Sequence, residues 1–390
     1  MPIPKLPAPA SRVTRARLER MLNVARAGAA LALLLYHLRY LTLCDYASLV
    51  APSSALKLLY FLTGLGHQAI AVYFVASGAE LGLRVLGRRR APPRRWLLAR
   101  LTGTLRRISG LLVLGLILDE LGLRYFDGRG VYTRYPDFCV VSDGVSVFLR
   151  NLVLLQPWSA PTFGSNGLLW IVACEWWYGC AALILAWMWR RYPGVAAALF
   201  AALLGADLLT PTELGNWALV WSLGVVAALF LPKVSNRPLR ALGLAMLVAG
   251  LCGARILEAQ AAQFVGSPAL WFSLAKDLLV GLSLALCLLT CAPPSTAQDS
   301  GTTAPRPRPL VRMGELGKTA LLVHFPIMML LVGFGASHLS LELKHVPDID
   351  ALAYFVWLAL AICFICSLTH FAARALLRGM SGWMLGPVDI

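Results

Sequence analysis

Long apolar stretches, separated by short polar segments, recur along the whole chain. A bilayer core about 30 Å thick requires roughly 20 apolar residues in a helix. The pattern therefore predicts an all-α, polytopic membrane protein, in which the third and the fifth spans are short. We expect about ten membrane-spanning helices, at 22–43, 58–84, 108–124, 168–189, 194–210, 215–231, 240–258, 270–291, 313–337 and 350–373.

The charged residues lie between these stretches, and their sign alternates from loop to loop. The N-terminal segment and every second loop after it are basic, whereas the loops between them carry acidic residues or a mixture. Because lysines and arginines favour the cytoplasmic side of a membrane, we predict that both termini are cytoplasmic. The first apolar run is too long for a cleaved signal peptide.

This pattern divides the chain into regions of different character. The 292–312 segment is rich in proline, serine and threonine, as flexible linkers are. Within the large outer loop, Val145 to Leu155 is predicted to form a short interfacial helix. The predicted regions are a basic cytoplasmic N-terminus (1–21), a transmembrane domain (22–376) with an outer loop (125–167) and a cytoplasmic linker (292–312), and a cytoplasmic tail (377–390).

The composition supports this interpretation. Hydrophobic residues make up 58% of the 390-residue chain and charged residues only 14%, whereas soluble proteins carry about 25% charged residues. A water-soluble enzyme is therefore excluded. A net charge of +16 would suit nucleic acid, but the arginines lie beside apolar runs, where they orient a membrane protein. We therefore predict that the protein lies in the lipid bilayer of the inner (cytoplasmic) cell membrane. We predict no nucleic-acid partner.

Most of the nine cysteines lie inside predicted spans, where a thiol acts as a small apolar side chain. Cys44 and Cys139 both fall on the predicted outer side instead. An oxidising compartment would allow a disulfide between them, and the sequence leaves open whether they pair. No metal site is predicted.

Ionisable side chains inside spans are candidate functional residues, because burying them in hydrocarbon is costly. Arg26 and His37 are eleven residues apart in the first span, which places them on one helix face about 16 Å apart along the axis. Glu175 in the fourth span has a similar depth to His37, so we expect its carboxylate to orient the imidazole for general-base catalysis. The alternatives are a helix-to-helix hydrogen bond for the histidine and a snorkelling arginine. Further candidates, expected to pair or to lie near an interface, are His67, His324, Asp119, Lys276 and Asp277.

Four local patterns follow one another along the chain. The first span has an arginine, ten residues and a histidine, from Arg26 to His37. The others are VYFVASG at 72–78, GLLWIVACEWWYG at 167–179 and LGKTALLVHFPI at 316–327. With these landmarks, the chain from about residue 22 to 376 resembles the integral-membrane acyltransferase-3 family, which also has ten helices.

The resemblance implies a reaction and roles for matching residues. An acyl group, commonly acetyl, would pass from cytoplasmic acyl-CoA to a hydroxyl of a glycan, a lipid-linked molecule or another acceptor. Acyl-CoA would be a co-substrate, and no cofactor would be permanently bound. By position, His37 would be the catalytic base, Arg26 its partner in the motif, and Glu175 part of the helix-four site. The residues lining the acceptor site would be Ser77, Trp170, Tyr178 and His324.

One part of the family pattern is not matched. The family has an Arg-x-x-Arg cluster that runs into a proline, whereas this chain has Arg100, Arg106 and Arg107 at other spacings and no proline. We expect these arginines, with Arg26, to bind acyl-CoA, and which of them meets its phosphates is open. The dense arginines from Arg88 to Arg107 suit phosphates, or are only a strong topological signal.

Two other functions compete with acyl transfer. A transporter or exporter of an envelope or lipid-linked metabolite would line its path with intramembrane charges, although no paired half-repeats are visible in the sequence. A non-catalytic scaffold for envelope assembly would leave the motif residues without a role. Binding to immobilised CoA would separate the enzyme from both. The sequence does not specify the acceptor, the acyl chain length or the oligomeric state.

Overall fold

The structure is a computed structural model that describes residues 12–83, 94–133, 144–209, 212–230, 237–260, 267–291, 308–339 and 343–384. Within these residues the regular elements are helices, as the sequence predicts. Besides one short 3-10 turn, Tyr46–Ser48, they are α1 Arg12–Thr42, α2 Ser54–Leu62, α3 Gly66–Leu81, α4 Arg94–Tyr125, α5 Val145–Leu152, α6 Leu169–Arg191, α7 Pro193–Leu209, α8 Glu213–Leu229, α9 Arg237–Glu258, α10 Ser267–Cys291, α11 Arg308–His338 and α12 Ile349–Met384.

Eight spans in the described residues are long and apolar enough to cross a membrane. They are α1, α2 and α3 together, α4, α6, α9, α10, α11 and α12, whereas α7 and α8 are apolar but shorter. The outward surfaces are apolar as well: Leu360 and Phe364 of α12 are 67% and 64% exposed. Such contiguous exposed apolar surface is expected of a protein solvated by lipid. The chain is therefore a multi-pass membrane protein.

The second predicted span, 58–84, is not one continuous helix. Helix α2 ends at Leu62, and α3 begins at Gly66. The break has a local cause, because two glycines let bulky side chains approach the backbone. A Cβ atom at Gly64 would overlap the guanidinium group of Arg255, and one at Gly66 would overlap the ring of Tyr36.

Close helix contacts through glycine form the centre of the bundle. Helix α1 packs on α3 and α11, and α3 packs on α8. A Cβ atom at Gly78 of α3 would overlap the Trp221 carbonyl oxygen, and one at Gly224 of α8 would overlap the Val75 carbonyl oxygen. Small residues allow such backbone approach in membranes, where packing rather than hydrophobic exclusion joins helices.

The segment predicted as the outer loop, 125–167, contributes to the bundle itself. The predicted short helix forms as α5, and residues 163–166 near the end of the segment are buried. The Asp119 carboxylate of α4 accepts hydrogen bonds from the Ser165 backbone N–H at 2.7 Å and from its hydroxyl at 2.6 Å. Asn166 Nδ2 donates to the Leu322 carbonyl of α11 at 2.6 Å. These bonds tie the loop to α4 and α11.

Helices also extend into the segments predicted to be the N-terminus, the linker and the cytoplasmic tail. Helix α1 begins at Arg12, α11 begins at Arg308 and α12 continues to Met384. Most of the predicted linker, 292–307, lies outside the described residues. Cys139 also lies outside them, so the structure does not test a disulfide between Cys139 and Cys44.

Candidate functional site

A largely buried ion pair joins α1 and α3 near the middle of α1. Arg26 Nη2 lies 2.5 Å from Glu80 Oε2 and donates to the Ala76 carbonyl at 2.9 Å. Lys318 of α11 also reaches Glu80, with its Nζ 3.3 Å from Oε2. The Arg26 side chain is buried, so its charge is compensated by Glu80 rather than by snorkelling to water.

A small cleft opens beside this ion pair. Arg26 and Glu80 line it together with Leu22 and Asn23, and its empty volume, open solvent included, is about 220 Å³. Arg26 Nε has no hydrogen-bond partner among the described residues. A buried donor of this kind is costly unless a ligand or water satisfies it. The cleft is therefore a candidate contact point between Arg26 and a water molecule or an acceptor atom of a ligand.

Polar groups continue inward along α3. Tyr73 and Glu80 are seven residues apart, so they share a face of α3 about 10 Å apart along the axis. The Tyr73 hydroxyl lies 3.4 Å from Glu175 Oε2 of α6 and donates to it. Tyr73 also interacts electrostatically with Arg26 and Glu80. Glu175 thus belongs to a polar row that begins at the cleft, in which Tyr73 is buried and the two carboxylates are partly buried.

His37 lies further along α1 and is paired with a second histidine. His37 Nδ1 is 3.2 Å from His324 Nε2 of α11, and the two rings stack with centroids 5.5 Å apart. The sequence predicts Glu175 at this ring, but the partner that the structure gives it is His324. The reason lies in packing, because Gly317 brings α11 against α1 at Ala27, and His324 follows two turns later.

The histidine pair has a defined arrangement of protons. His324 Nδ1 lies 2.8 Å from the Ala320 carbonyl oxygen, which can only accept a hydrogen bond. The proton of a neutral His324 is therefore on Nδ1, and its Nε2 carries a lone pair. That lone pair accepts from His37 Nδ1–H, so the lone pair of His37 is on Nε2. The arrangement makes Nε2 the basic atom of His37.

The predicted acceptor-lining residues other than His324 meet in an aromatic cluster of α3, α6 and α8. Trp221 Nε1 donates to Ser77 Oγ at 3.4 Å, and the Tyr178 hydroxyl donates to the Leu214 carbonyl at 2.7 Å. Trp170 packs 5.8 Å from Phe74, which also contacts Tyr178 at 6.0 Å between centroids. The structure therefore brings Ser77, Trp170 and Tyr178 together in one cluster. The contacts given above do not join this cluster to the histidine pair.

The predicted CoA-binding arginines of α4 lie in the N-terminal half of that helix. Arg100 lies against α6, where a Cβ atom at Gly179 would be 3.4 Å from its Nη2. Arg106 and Arg107 are exposed. The side chains from Arg88 to Arg95 lie outside the described residues, so the cationic segment stays a prediction.

Most of the other intramembrane candidates are paired, as the sequence predicts. His67 Nε2 lies 2.7 Å from Asp277 Oδ1, and Lys276 forms an ion pair with Glu258. Sequence reasoning missed Glu80, Tyr73, Arg39 and Arg255 as functional candidates. Glu80 could have been found, since it lies on a predicted span and a buried arginine requires an acidic partner.

Comparison of the chain with family models, with curated proteins and with solved structures finds no match. The likeness to the acyltransferase-3 family stays a prediction from four sequence motifs. Of the residues in these motifs, the structure pairs His37 with His324, places Arg26 at a cleft and gathers Ser77, Trp170 and Tyr178 in one cluster.

Proposed function

We propose that the protein is a membrane-bound O-acyltransferase of the inner membrane, with His37 as general base. It transfers an acyl group, acetyl in the simplest case, from cytoplasmic acyl-CoA to a hydroxyl of a glycan or another envelope acceptor. The observation that carries the proposal is the contact of His37 Nδ1 with His324 Nε2, from which the proton arrangement of the pair follows. A base needs an unprotonated nitrogen held in one orientation, and the His324 contact supplies both for His37 Nε2.

The reaction follows from this arrangement. The acceptor hydroxyl attacks the thioester carbonyl carbon while its proton passes to His37 Nε2. The imidazolium that forms keeps its Nδ1–H bond to His324 Nε2, which stabilises the positive charge. The C–S bond then breaks, and the CoA thiolate takes the proton from His37. The new ester and CoA leave, and His37 returns to its neutral form.

The cleft at Arg26 suits the acyl-CoA side of this reaction. It lies at the end of the bundle where α1 begins, and the polar row of Glu80, Tyr73 and Glu175 leads inward from it. The unsatisfied Arg26 Nε offers a donor to the pantetheine amides. Arg100, Arg106 and Arg107 would meet the phosphates outside, since guanidinium groups bind phosphate oxygens in pairs.

We further propose ten spans with both termini in the cytoplasm. Helices α7 and α8 lie between two basic segments, Arg190–Arg191 and Arg237–Arg240. If basic residues face the cytoplasm, these helices cross as a pair or not at all, and the termini share one side in both cases. Trp217 and Trp221 of α8 are 6% and 4% exposed within the bundle, which favours a crossing. The 17 residues of α8 extend about 25 Å.

The test is thiol release from acetyl-CoA by the purified full chain in detergent, with crude envelope extract as acceptor. We expect wild type to release CoA and His37→Ala to lose about 10²–10⁴-fold in rate. His338→Ala is the control, because His338 is an exposed histidine of the same helix as His324. Retained activity in His37→Ala at normal abundance would overturn the assignment of the base.

The transporter alternative has one observation in its favour. Helix α2–α3 is broken inside a predicted span, and transporters bind their substrates at discontinuous helices. Immobilised CoA separates the two functions, since an acyltransferase binds it and a transporter of another metabolite does not. Absence of both CoA binding and thiol release would favour transport.

A further inference from the structure

Two arginines lie close together at the opposite end of the bundle from the Arg26 cleft. Arg39 is in the last turn of α1 and Arg255 in the last turn of α9, and they interact electrostatically with each other. Arg39 is 9% exposed. Its guanidinium stacks over Tyr36 and Tyr60 at 5.9 and 5.1 Å from the ring centroids. Aromatic rings attract a cation but do not neutralise it.

Neither guanidinium group forms a direct ion pair with a carboxylate among the described residues, and the acidic group that acts electrostatically on Arg39 is Asp45, which is itself paired with Lys344. The Nε atoms of Arg39 and Arg255 are buried without a hydrogen bond. The carboxylates in this part of the bundle bind other cations: Glu258 pairs with Lys276, Asp277 with His67, and Asp45 with Lys344. Arg39 is buried and Arg255 is partly buried, and two adjacent positive charges in such surroundings repel each other and are costly in a membrane protein. A bound anion would remove this cost.

The break between α2 and α3 supplies further donors at the same place. The first helical hydrogen bond of α3 is the one that Ala69 donates to the Leu65 carbonyl. The backbone N–H groups of Gly66, His67 and Gln68 come before it, in the first turn of the helix. The positive end of the helix dipole therefore points into the break, and helix N-termini bind anions for this reason. The missing side chain of Gly64 lets the Arg255 guanidinium lie directly against this backbone.

We infer that Arg39, Arg255 and the start of α3 form a binding site for a phosphate-class anion. Two planar guanidinium groups and a helix N-terminus are the donors that phosphate oxygens prefer. The site is distinct from the proposed catalytic pair, since Arg39 is two residues after His37 and therefore points about 200° away around α1. Its ligand is either a soluble phosphate ester or the headgroup of an anionic lipid.

The test measures thermal unfolding of the purified full chain through tryptophan fluorescence, without acyl-CoA. Inorganic phosphate is titrated in detergent against chloride at equal ionic strength. We expect phosphate to stabilise wild type, and Arg255→Gln to weaken the apparent Kd about 10- to 150-fold, the loss of one hydrogen bond to a charged group. Arg124→Gln is the matched control, because Arg124 is in the last turn of α4 and packs on Tyr125.

A second variant keeps every charge. Gly64→Ala adds one methyl group that displaces the Arg255 guanidinium, so it should also weaken the phosphate response. Equal destabilisation of Arg255→Gln in phosphate and in chloride, with an unchanged response in Gly64→Ala, would mean that Arg255 only neutralises the C-terminal carbonyls of α2. That result would overturn the inference.

Lipid nanodiscs identify the source of the anion. If phosphatidylglycerol stabilises wild type more than phosphatidylcholine does, and Arg255→Gln loses the difference, the ligand is a lipid headgroup. A response to inorganic phosphate in detergent that persists in phosphatidylcholine nanodiscs identifies a soluble phosphate ester. No response to phosphate or to phosphatidylglycerol in wild type would refute an anion site. None of these outcomes depends on acyl transfer, so they test the site separately from the proposed function.

Discussion

The contact between the two histidines makes a quantitative prediction about catalysis. His324→Phe keeps a ring of similar size next to His37 but removes the nitrogen that accepts from His37 Nδ1. During the reaction this hydrogen bond is made by an imidazolium, and hydrogen bonds to charged groups contribute about 1.5–3 kcal/mol. At about 1.4 kcal/mol for each tenfold change in rate, kcat should fall about 10- to 150-fold.

The same contact predicts how the two substitutions combine. His324 acts only through His37, so its removal should cost little once the base itself is gone. His37→Ala alone should lose about 10²–10⁴-fold, and the double variant His37→Ala with His324→Phe should be no slower within about threefold. Residues that act as a unit are non-additive in this way. KM for acetyl-CoA should change little in any of the three variants.

The assay is steady-state thiol release from acetyl-CoA, with abundance and unfolding temperature measured for each variant. His338→Phe is the matched control, because it exchanges the same side chains on the same helix at an exposed position. Additive losses in the double variant would refute the reasoning, since His324 would then contribute independently of His37. So would a His324→Phe variant that folds normally and keeps full activity.

Three further predictions follow from the packing and the charges. Arg26→Gln should raise KM for acetyl-CoA about tenfold or more. It should also lower the unfolding temperature, because it leaves the Glu80 carboxylate less well paired. Adding Glu80→Gln should restore the unfolding temperature but not KM. Gly224→Val should reduce stability by about 1–3 kcal/mol or more through overpacking against α3, and thermal unfolding in detergent measures the loss. The control is Gly115→Ala, whose added methyl group would meet no atom within 4 Å and should not reduce stability. Fluorescent protein fused after Ile390 should fluoresce in cells, as a cytoplasmic C-terminus requires, and a dark but abundant fusion would contradict the proposed topology.

The fold class could be predicted because lipid imposes a simple rule on the sequence. Each spanning segment must satisfy its backbone hydrogen bonds internally, so apolar length alone identifies helices. The break at Gly64 was missed for the same reason, since hydropathy averages over the segment 58–84 and does not register a local interruption. Glycine in a membrane helix is common, and its role here depends on which side chains, Arg255 and Tyr36, occupy the space beside it.

The candidate site was predicted only in part. The sequence identified several of its residues but not which residues contact one another. Depth along a helix can be estimated from residue number, and on that basis the sequence predicts that Glu175 and His37 meet. Rotation and helix neighbours cannot be obtained in this way, and these place His324 at His37 and Tyr73 at Glu175. Arg39 was overlooked because arginines near the end of a span usually snorkel, whereas here the side chain is buried among helices.

The geometry of the proposed base depends on the packing of α11 against α1. Gly317 lies where a Cβ atom would be 2.8 Å from Ala27 Cα, so a side chain there would push the helices apart. His324 is two turns further along α11, and its distance to His37 would increase with the helix separation. Misplacement of a catalytic group by 1 Å can cost about 10²-fold in rate. Gly317→Ala should therefore lower kcat in a chain that still folds, although residue 317 touches neither histidine, and an unchanged kcat would mean that the pair tolerates movement of α11.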